Sequence, residues 1–332
     1  MSVDLEQRIV RYLSQRMPEA GRISVIALSR IHGGASRETF RVRVNTERSG
    51  ERGLIFRRDP VSTLIETERE TEFAAYRSFM DSAVPVPGAL FLESDLDWLE
   101  RPFFVMEEVE GCTAASILAA DPYGIHRRKI GEQFFAILGR IAKRDVATSE
   151  LARHVPTPAP DAAWRVELDK WEKVIDEDEL EPQPIARAAI RWMRRNPPPP
   201  AQRISIVHGD YRTGNFLFDS TGSIRAVLDW EMAHLGDPLE DLGWALDPLW
   251  SADREHPGGM LKREESIAVW EQASGLKADP KALQWWSMFA SFKGLAIWIS
   301  SAKEYQAGTN TDPVMAFSGL YCLPFHNKRL AD

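Results

Sequence analysis

Along the first part of the chain the apolar positions change period several times, and each change predicts an element. Leu5, Ile9, Val10, Leu13 and Met17 recur at helical spacing, so residues 3–18 are expected to form an amphipathic helix. Three short runs rich in β-branched and aromatic residues follow, at Ile23–Leu28, Thr39–Val44 and Leu54–Phe56, separated by glycine-containing turns. Residues 64–79 return to helical spacing, with Phe73, Tyr76 and Phe79 on one face. Two more strand-like runs, near Ala89–Leu92 and Phe103–Val109, complete a small α+β unit.

Past Gly111 the pattern becomes mainly helical. Ile125–Ala147 and Ala162–Asp176 are charged and periodic, and Ile185–Arg195 is stopped by Pro197–Pro200. One β-rich island interrupts at Ile204–Val207, Phe216–Phe218 and Ile224–Leu228, the last two joined by a turn at Ser220–Gly222. The longest helix is expected over Pro280–Tyr305, with Trp285, Met288, Phe289, Phe292, Leu295, Ala296 and Ile299 at helical spacing. The pattern predicts an α+β protein of two lobes. A small β-rich lobe covers residues 1–107, and a hinge with a larger, mainly helical lobe covers 108–332.

Composition narrows the function. The 332 residues carry a formal charge of -8, and 44% are apolar. An acidic chain lacks the basic field that a phosphate-backbone binder needs, so no nucleic-acid partner is expected. Cys112 and Cys322 lie too far apart for a redox or metal motif and read as small buried hydrophobes. The opening Met1-Ser-Val-Asp-Leu-Glu lacks a basic start and an apolar run, and no stretch nears ~18 apolar residues. A cytoplasmic location with no membrane partner is expected.

The chemistry is concentrated in the β-rich island, at His208-Gly-Asp-Tyr-Arg-Thr-Gly-Asn215, a hairpin, and then Leu228-Asp-Trp-Glu231. A strand ends at His208 and a tight loop presents Asp210. Asn215 follows on the same loop, and Asp229 returns on the hairpin's second strand. Alone, a Gly-Asp loop is often only a turn. Three oxygen-bearing side chains around one small volume are what phosphoryl transfer requires: hard ligands for magnesium, and a carboxylate to take the acceptor's proton.

The pattern resembles the catalytic and metal-binding segments of the aminoglycoside phosphotransferase and choline kinase superfamily, relatives of protein kinases. The run Leu228–Trp244 is similar to the kinase-like domains fused to acyl-CoA dehydrogenases. The resemblance covers about Ile26 to Trp250 and implies a two-lobed protein-kinase-like fold that binds ATP and Mg²⁺. It implies Asp210 as the catalytic base and Asn215 and Asp229 as metal ligands. His208 would brace the loop, with Glu231, Asp237 and Asp241 in support.

The small lobe should then hold the nucleotide. Gly33 and Gly34, with Ser36 beside them, can let backbone N–H groups approach phosphate oxygens. No G-x-x-x-x-G-K-[ST] motif occurs. Where protein kinases place a lysine, alternation and likeness put Arg57, with Arg58 as the more solvent-exposed neighbour. Glu72 aligns best as the carboxylate that orients Arg57; Glu70 and Glu68 are alternatives. Backbone groups near Glu107–Val109 would meet the adenine.

The acceptor is less legible. Ten of the eleven tryptophans lie at or after Trp164, where helical spacing favours core over an aromatic acceptor cleft. His32 and His234 show no metal-ligand spacing, and no G-x-S-x-G elbow supports hydrolysis. The reading is a small-molecule kinase acting on a hydroxyl. A hydroxylated metabolite or hydroxyacyl compound is favoured over an aminoglycoside or macrolide. The alternative is a catalytically silent, nucleotide-binding pseudokinase.

Overall fold

A computed structural model of the chain describes residues 3–31, 37–59 and 69–332. Helix α1 (Val3–Arg16) leads into strands β1 (Ile23–Ile31), β2 (Glu38–Thr46) and β3 (Gly50–Arg58). Helix α2 (Arg69–Arg77), β4 (Ala89–Glu93), the short α3 (Leu96–Leu99) and β5 (Phe103–Glu107) follow. The five strands form one antiparallel sheet in the order β1-β2-β3-β5-β4.

The pleat sorts side chains to two faces. Phe40, Val42 and Val44 of β2, Leu54 and Phe56 of β3, and Phe103 and Val105 of β5 pack with Ile9, Tyr12 and Leu13 of α1. Ile55, Phe104 and Met106 point the other way, onto Phe73, Tyr76 and Phe79, and this cluster continues into the helical lobe. Arg57 shares the face of Ile55 and so turns toward α2. Arg58 falls on the opposite face. It is not the exposed neighbour expected: its guanidinium bonds Glu38 at 2.7 Å and lies 5.3 Å over the Phe40 ring.

The second lobe comprises β6 (Cys112–Ala114), α4 (Arg127–Lys143), α5 (Ala163–Asp178), α6 (Pro184–Arg195), β7 (Ser205–Val207), β8 (Phe216–Asp219) and β9 (Ile224–Val227). It continues with β10 (His234–Gly236), α7 (Leu239–Ala245), α8 (Arg263–Ser274), α9 (Pro280–Ala307), α10 (Pro313–Phe317) and α11 (Leu323–Ala331). The expected hairpin is β8–β9, widened by β6, while β7 pairs with β10 in a separate two-stranded sheet. Helix α4 stops at Lys143 because the Asp145 carboxylate accepts the Ala147 N–H and turns the chain.

Helix α9 is the spine of this lobe. Trp285, Trp286, Phe289, Phe292 and Leu295 are buried, and α7 lies so close that a Cβ on Gly243 would sit 2.8 Å from the Trp286 carbonyl. The tryptophan stripe is core, as its spacing predicts. Both cysteines are free; Cys322 is buried and Cys112 half-buried. Among the described residues no helix is long and apolar enough to cross a membrane.

Candidate active site

The loop His208–Asn215 leaves the end of β7 and is clamped from three sides. The His208 and Gly209 N–H groups donate to the Asp241 carboxylate of α7 at 2.6 and 2.9 Å. Burial and the neighbouring Glu240 push the Asp241 carboxyl up to about 6, against the pull of those two N–H groups. Gly209 has φ 84°, and a Cβ there would lie 2.5 Å from the Met232 carbonyl, so only glycine fits. The Gly209 carbonyl accepts from the Lys293 ammonium of α9 at 2.6 Å.

His208 links the loop to the hairpin. Its Nδ1 accepts the Asp210 N–H at 3.1 Å, so Nε2 carries the proton and donates to the Leu228 carbonyl at 2.9 Å. Burial pushes the imidazole down to about 4, so it is neutral at ordinary pH. Leu228 in turn donates its N–H to the Asn215 carbonyl at 2.8 Å, which brings Asn215 beside the residue preceding Asp229.

Asp210 stands where these ties converge. Its Oδ1 accepts from the Trp244 indole at 2.8 Å, and its Oδ2 from Asn215 Nδ2 at 2.7 Å. Arg212 Nε lies 3.0 and 3.2 Å from the two oxygens, with its guanidinium 4.9 Å over the Trp250 ring. Asn215 Nδ2 also donates to the Asp210 carbonyl, so the amide oxygen faces away from Asp210.

Asp229 has φ 68° and ψ 55°, a left-handed backbone that few residues other than glycine adopt. Its N–H donates to the Tyr76 hydroxyl of α2 at 3.0 Å, and its Oδ1 accepts from Arg57 Nη2 at 3.1 Å. Burial alone would raise this carboxyl, but the charge and hydrogen bond of Arg57 outweigh burial and hold it below the usual range. Arg57 also pairs with Glu72 at 3.0 Å and lies 3.6 Å from Glu231, while its buried Nε has no hydrogen-bond partner. Burial opposes the charge on Arg57, yet Glu72 and Asp229 raise its pKa well above the ordinary value.

The sequence-predicted residues therefore divide. Asp210, Asn215, Asp229, Arg57 and Glu72 meet in one place, with Glu231 nearby. The carboxylate paired with Arg57 is Glu72, which also accepts from Arg37 at 2.7 Å, while Glu70 turns to Arg69. Asp241 holds the loop, whereas Asp237 caps α7 through the Leu239 N–H and accepts from the Trp286 indole. Glu107 ends β5, its N–H already bonded to the Gly88 carbonyl, and Val109 lies beyond the last paired residue. Gly33, Gly34, Ser36, His32 and Glu68 lie outside the described residues.

Several site residues gave no signal in the sequence. Arg212, Trp244, Tyr76 and Lys293 come from four segments and converge only in the fold. Lys293 also pairs with Glu240 at 2.9 Å, deep in the core. The far oxygen of Glu240 meets His234 Nε2 at 3.1 Å, and Glu167 lies 3.5 Å from the same nitrogen. His234 Nδ1 faces the Met232 carbonyl at 3.0 Å. Both ring nitrogens face acceptors, which favours the imidazolium. Burial opposes that charge, but Glu167 and Glu240 raise the pKa.

A model of the phosphotransferase enzyme family matches residues 27–276, most of the chain and all of this site except Lys293. The chain belongs to the phosphotransferase enzyme family. This phosphotransferase is 28% identical over 226 residues to mouse acyl-CoA dehydrogenase family member 10, covering 64% of the chain and 19% of the mouse protein. It is 22% identical over 318 residues to human acyl-CoA dehydrogenase family member 11, covering 90% of the chain and 39% of the human protein. It thus spans well under half the length of these relatives.

Solved structures share its fold across nearly their whole length. A candidate aminoglycoside phosphotransferase from Ralstonia eutropha superposes with a TM-score of 0.77 at 20% identity, covering 98% of this chain and 97% of that one. Choline kinase LicA from Streptococcus pneumoniae gives 0.63 at 15% identity, with 99% of each chain covered. The phosphotransferase therefore has the two-lobed, protein-kinase-like fold.

Proposed function

We propose that this phosphotransferase moves the γ-phosphate of ATP, with magnesium, to a hydroxyl of a small molecule. A hydroxylated metabolite or hydroxyacyl compound is favoured as acceptor. The observation that carries the reading is the convergence of Asp210, Asn215 and Asp229 with the Arg57–Glu72 pair. A solved aminoglycoside phosphotransferase of the same fold, in complex with AMP-PNP and hygromycin B, superposes at a TM-score of 0.57 with 17% identity, covering 97% of this chain and 96% of that one. The fused acyl-CoA dehydrogenase relatives favour the acyl class.

The donor set fits a magnesium nucleotide. The Asp229 carboxylate is held ionised, and the Asn215 amide is oriented with its oxygen free for a hard cation. The orphaned Arg57 Nε is a donor that a phosphate oxygen would satisfy. When bound, magnesium offsets charge on the phosphate oxygens. Arg57 grips the phosphate while Glu72 keeps its fork aligned. The Glu107–Val109 segment, at the boundary between lobes, offers its backbone to the adenine.

Asp210 is the base. Each of its oxygens already holds two donors, so the acceptor hydroxyl takes the place of Arg212 and gives its proton to the freed carboxylate oxygen. Trp244 and Asn215 keep the carboxylate aimed, so transfer depends on positioning and electrostatics. Asp229→Asn retains a residue that tolerates the left-handed backbone. It should weaken magnesium-dependent nucleotide affinity by about tenfold or more, read by calorimetry with and without the metal. Unchanged affinity would contradict the role of Asp229.

A further inference from the structure

We propose that a pocket between α7, α8 and α11 of the helical lobe binds a phosphate-type anion through Arg263 and Arg329. The pocket has a volume of about 360 Å³ and is lined by Arg254, Arg263, Lys328 and Arg329. On a chain of net charge -8, this gathering of cations runs against the average surface.

Most arginines of this protein are spoken for. Those of the small lobe mostly hold a carboxylate, as do Arg187 and Arg194 of α6. Among the described residues none of the four pocket cations has an ion pair, and the Arg263 guanidinium makes one long hydrogen bond, 3.5 Å to Ser287 Oγ. Two carboxylates also line the pocket, Asp247 and Asp332. Asp247 is buried and already engaged: it accepts the Leu249 N–H, the Ser291 hydroxyl and a contact from His326 at 3.2 Å. Asp332 is exposed and pairs with no cation of the pocket. Four positive groups thus face two carboxylates, one of them committed elsewhere.

Burial and then the neighbouring charge of Arg329 depress the Arg263 guanidinium, more than Glu264 and Asp247 raise it. Two like-charged guanidinium groups facing one pocket repel one another, and a tetrahedral dianion would be bridged by both forks. The volume suits a phosphomonoester with a few attached atoms rather than an extended polymer. Gly243 of α7, which lines it, precedes Trp244, the residue whose indole holds Asp210. The anion could arrive as part of the acceptor, remote from its hydroxyl, or as a separate phosphorylated effector. The recognising chemistry is the same.

The test is equilibrium dialysis with radiolabelled inorganic phosphate, on full-length protein saturated with magnesium and AMP-PNP. Wild type should bind phosphate with its nucleotide site already filled, which separates this site from the nucleotide site. The Arg263→Gln/Arg329→Gln variant should bind it at least about tenfold more weakly. Should that double variant misfold, Arg329→Gln alone, at an exposed position, serves with a smaller loss. Turnover distinguishes the sources. A raised KM with unchanged kcat, only for phosphate-bearing acceptors, would identify the acceptor's own group. Lost phosphate binding with KM unchanged for every acceptor would identify an effector. Equal phosphate affinity in wild type and double variant, or no phosphate bound at millimolar concentration, would overturn the proposal.

Discussion

His208 shows how one residue can fix a site without touching substrate. Its two nitrogens join the Asp210 N–H to the Leu228 carbonyl, and this works only for the neutral tautomer. The native imidazole titrates near 4, below its ordinary 6.5, so between those values the unfolded chain binds more protons. Stability from this group is therefore present above about pH 6.5 and falls as pH drops toward 4, by roughly 3 kcal/mol. Urea unfolding at pH 7 and pH 4.5 should show a larger loss for wild type than for His208→Gln; equal losses would contradict the neutral brace. The grouping of Asp210, Asn215 and Asp229 was legible because three oxygen-bearing side chains recur at a spacing that a hairpin can close. Arg212 was not, since its place beside Asp210 depends on the distant Trp250 ring beneath its guanidinium.

At the scale of elements, periodicity located α1, the five strands of the small lobe and α9 within a few residues. It missed β6 and β10, three residues each, because strands that short exist only through their partners β8 and β7. It also missed what α9 does. The helix reads as apolar core, yet it carries Lys293 into that core to hold the Gly209 carbonyl and Glu240 of α7. Removing one partner of a buried pair strands the other's charge. Lys293→Met should cost about 3–5 kcal/mol in chemical denaturation, and Lys293→Met/Glu240→Gln should recover part of it. If the double variant is as unstable as the sum of the singles, the two residues are not coupled.

Across the whole molecule, the strand-rich and helix-rich lobes meet at the candidate site. The sheet face bearing Arg57 and the α2 face bearing Glu72 and Tyr76 reach down to Asp229, and the helical lobe presents Asp210 from below. Fold class was readable because the strand-rich and helix-rich halves differ in period. The acceptor was not, since the tryptophans of the helical lobe are largely core: Trp171, Trp244, Trp285 and Trp286 are all fully buried. The most direct measurement is ADP release with magnesium and ATP across aminoglycosides, macrolides, choline, homoserine, sugars and hydroxyacyl thioesters, with Asp210→Asn as control. Acceptor-dependent release that falls by about a thousandfold or more in the variant, with nucleotide affinity intact, is the result predicted for a kinase using Asp210 as its base. Nucleotide bound without turnover on any acceptor, or turnover that survives in Asp210→Asn, would contradict it.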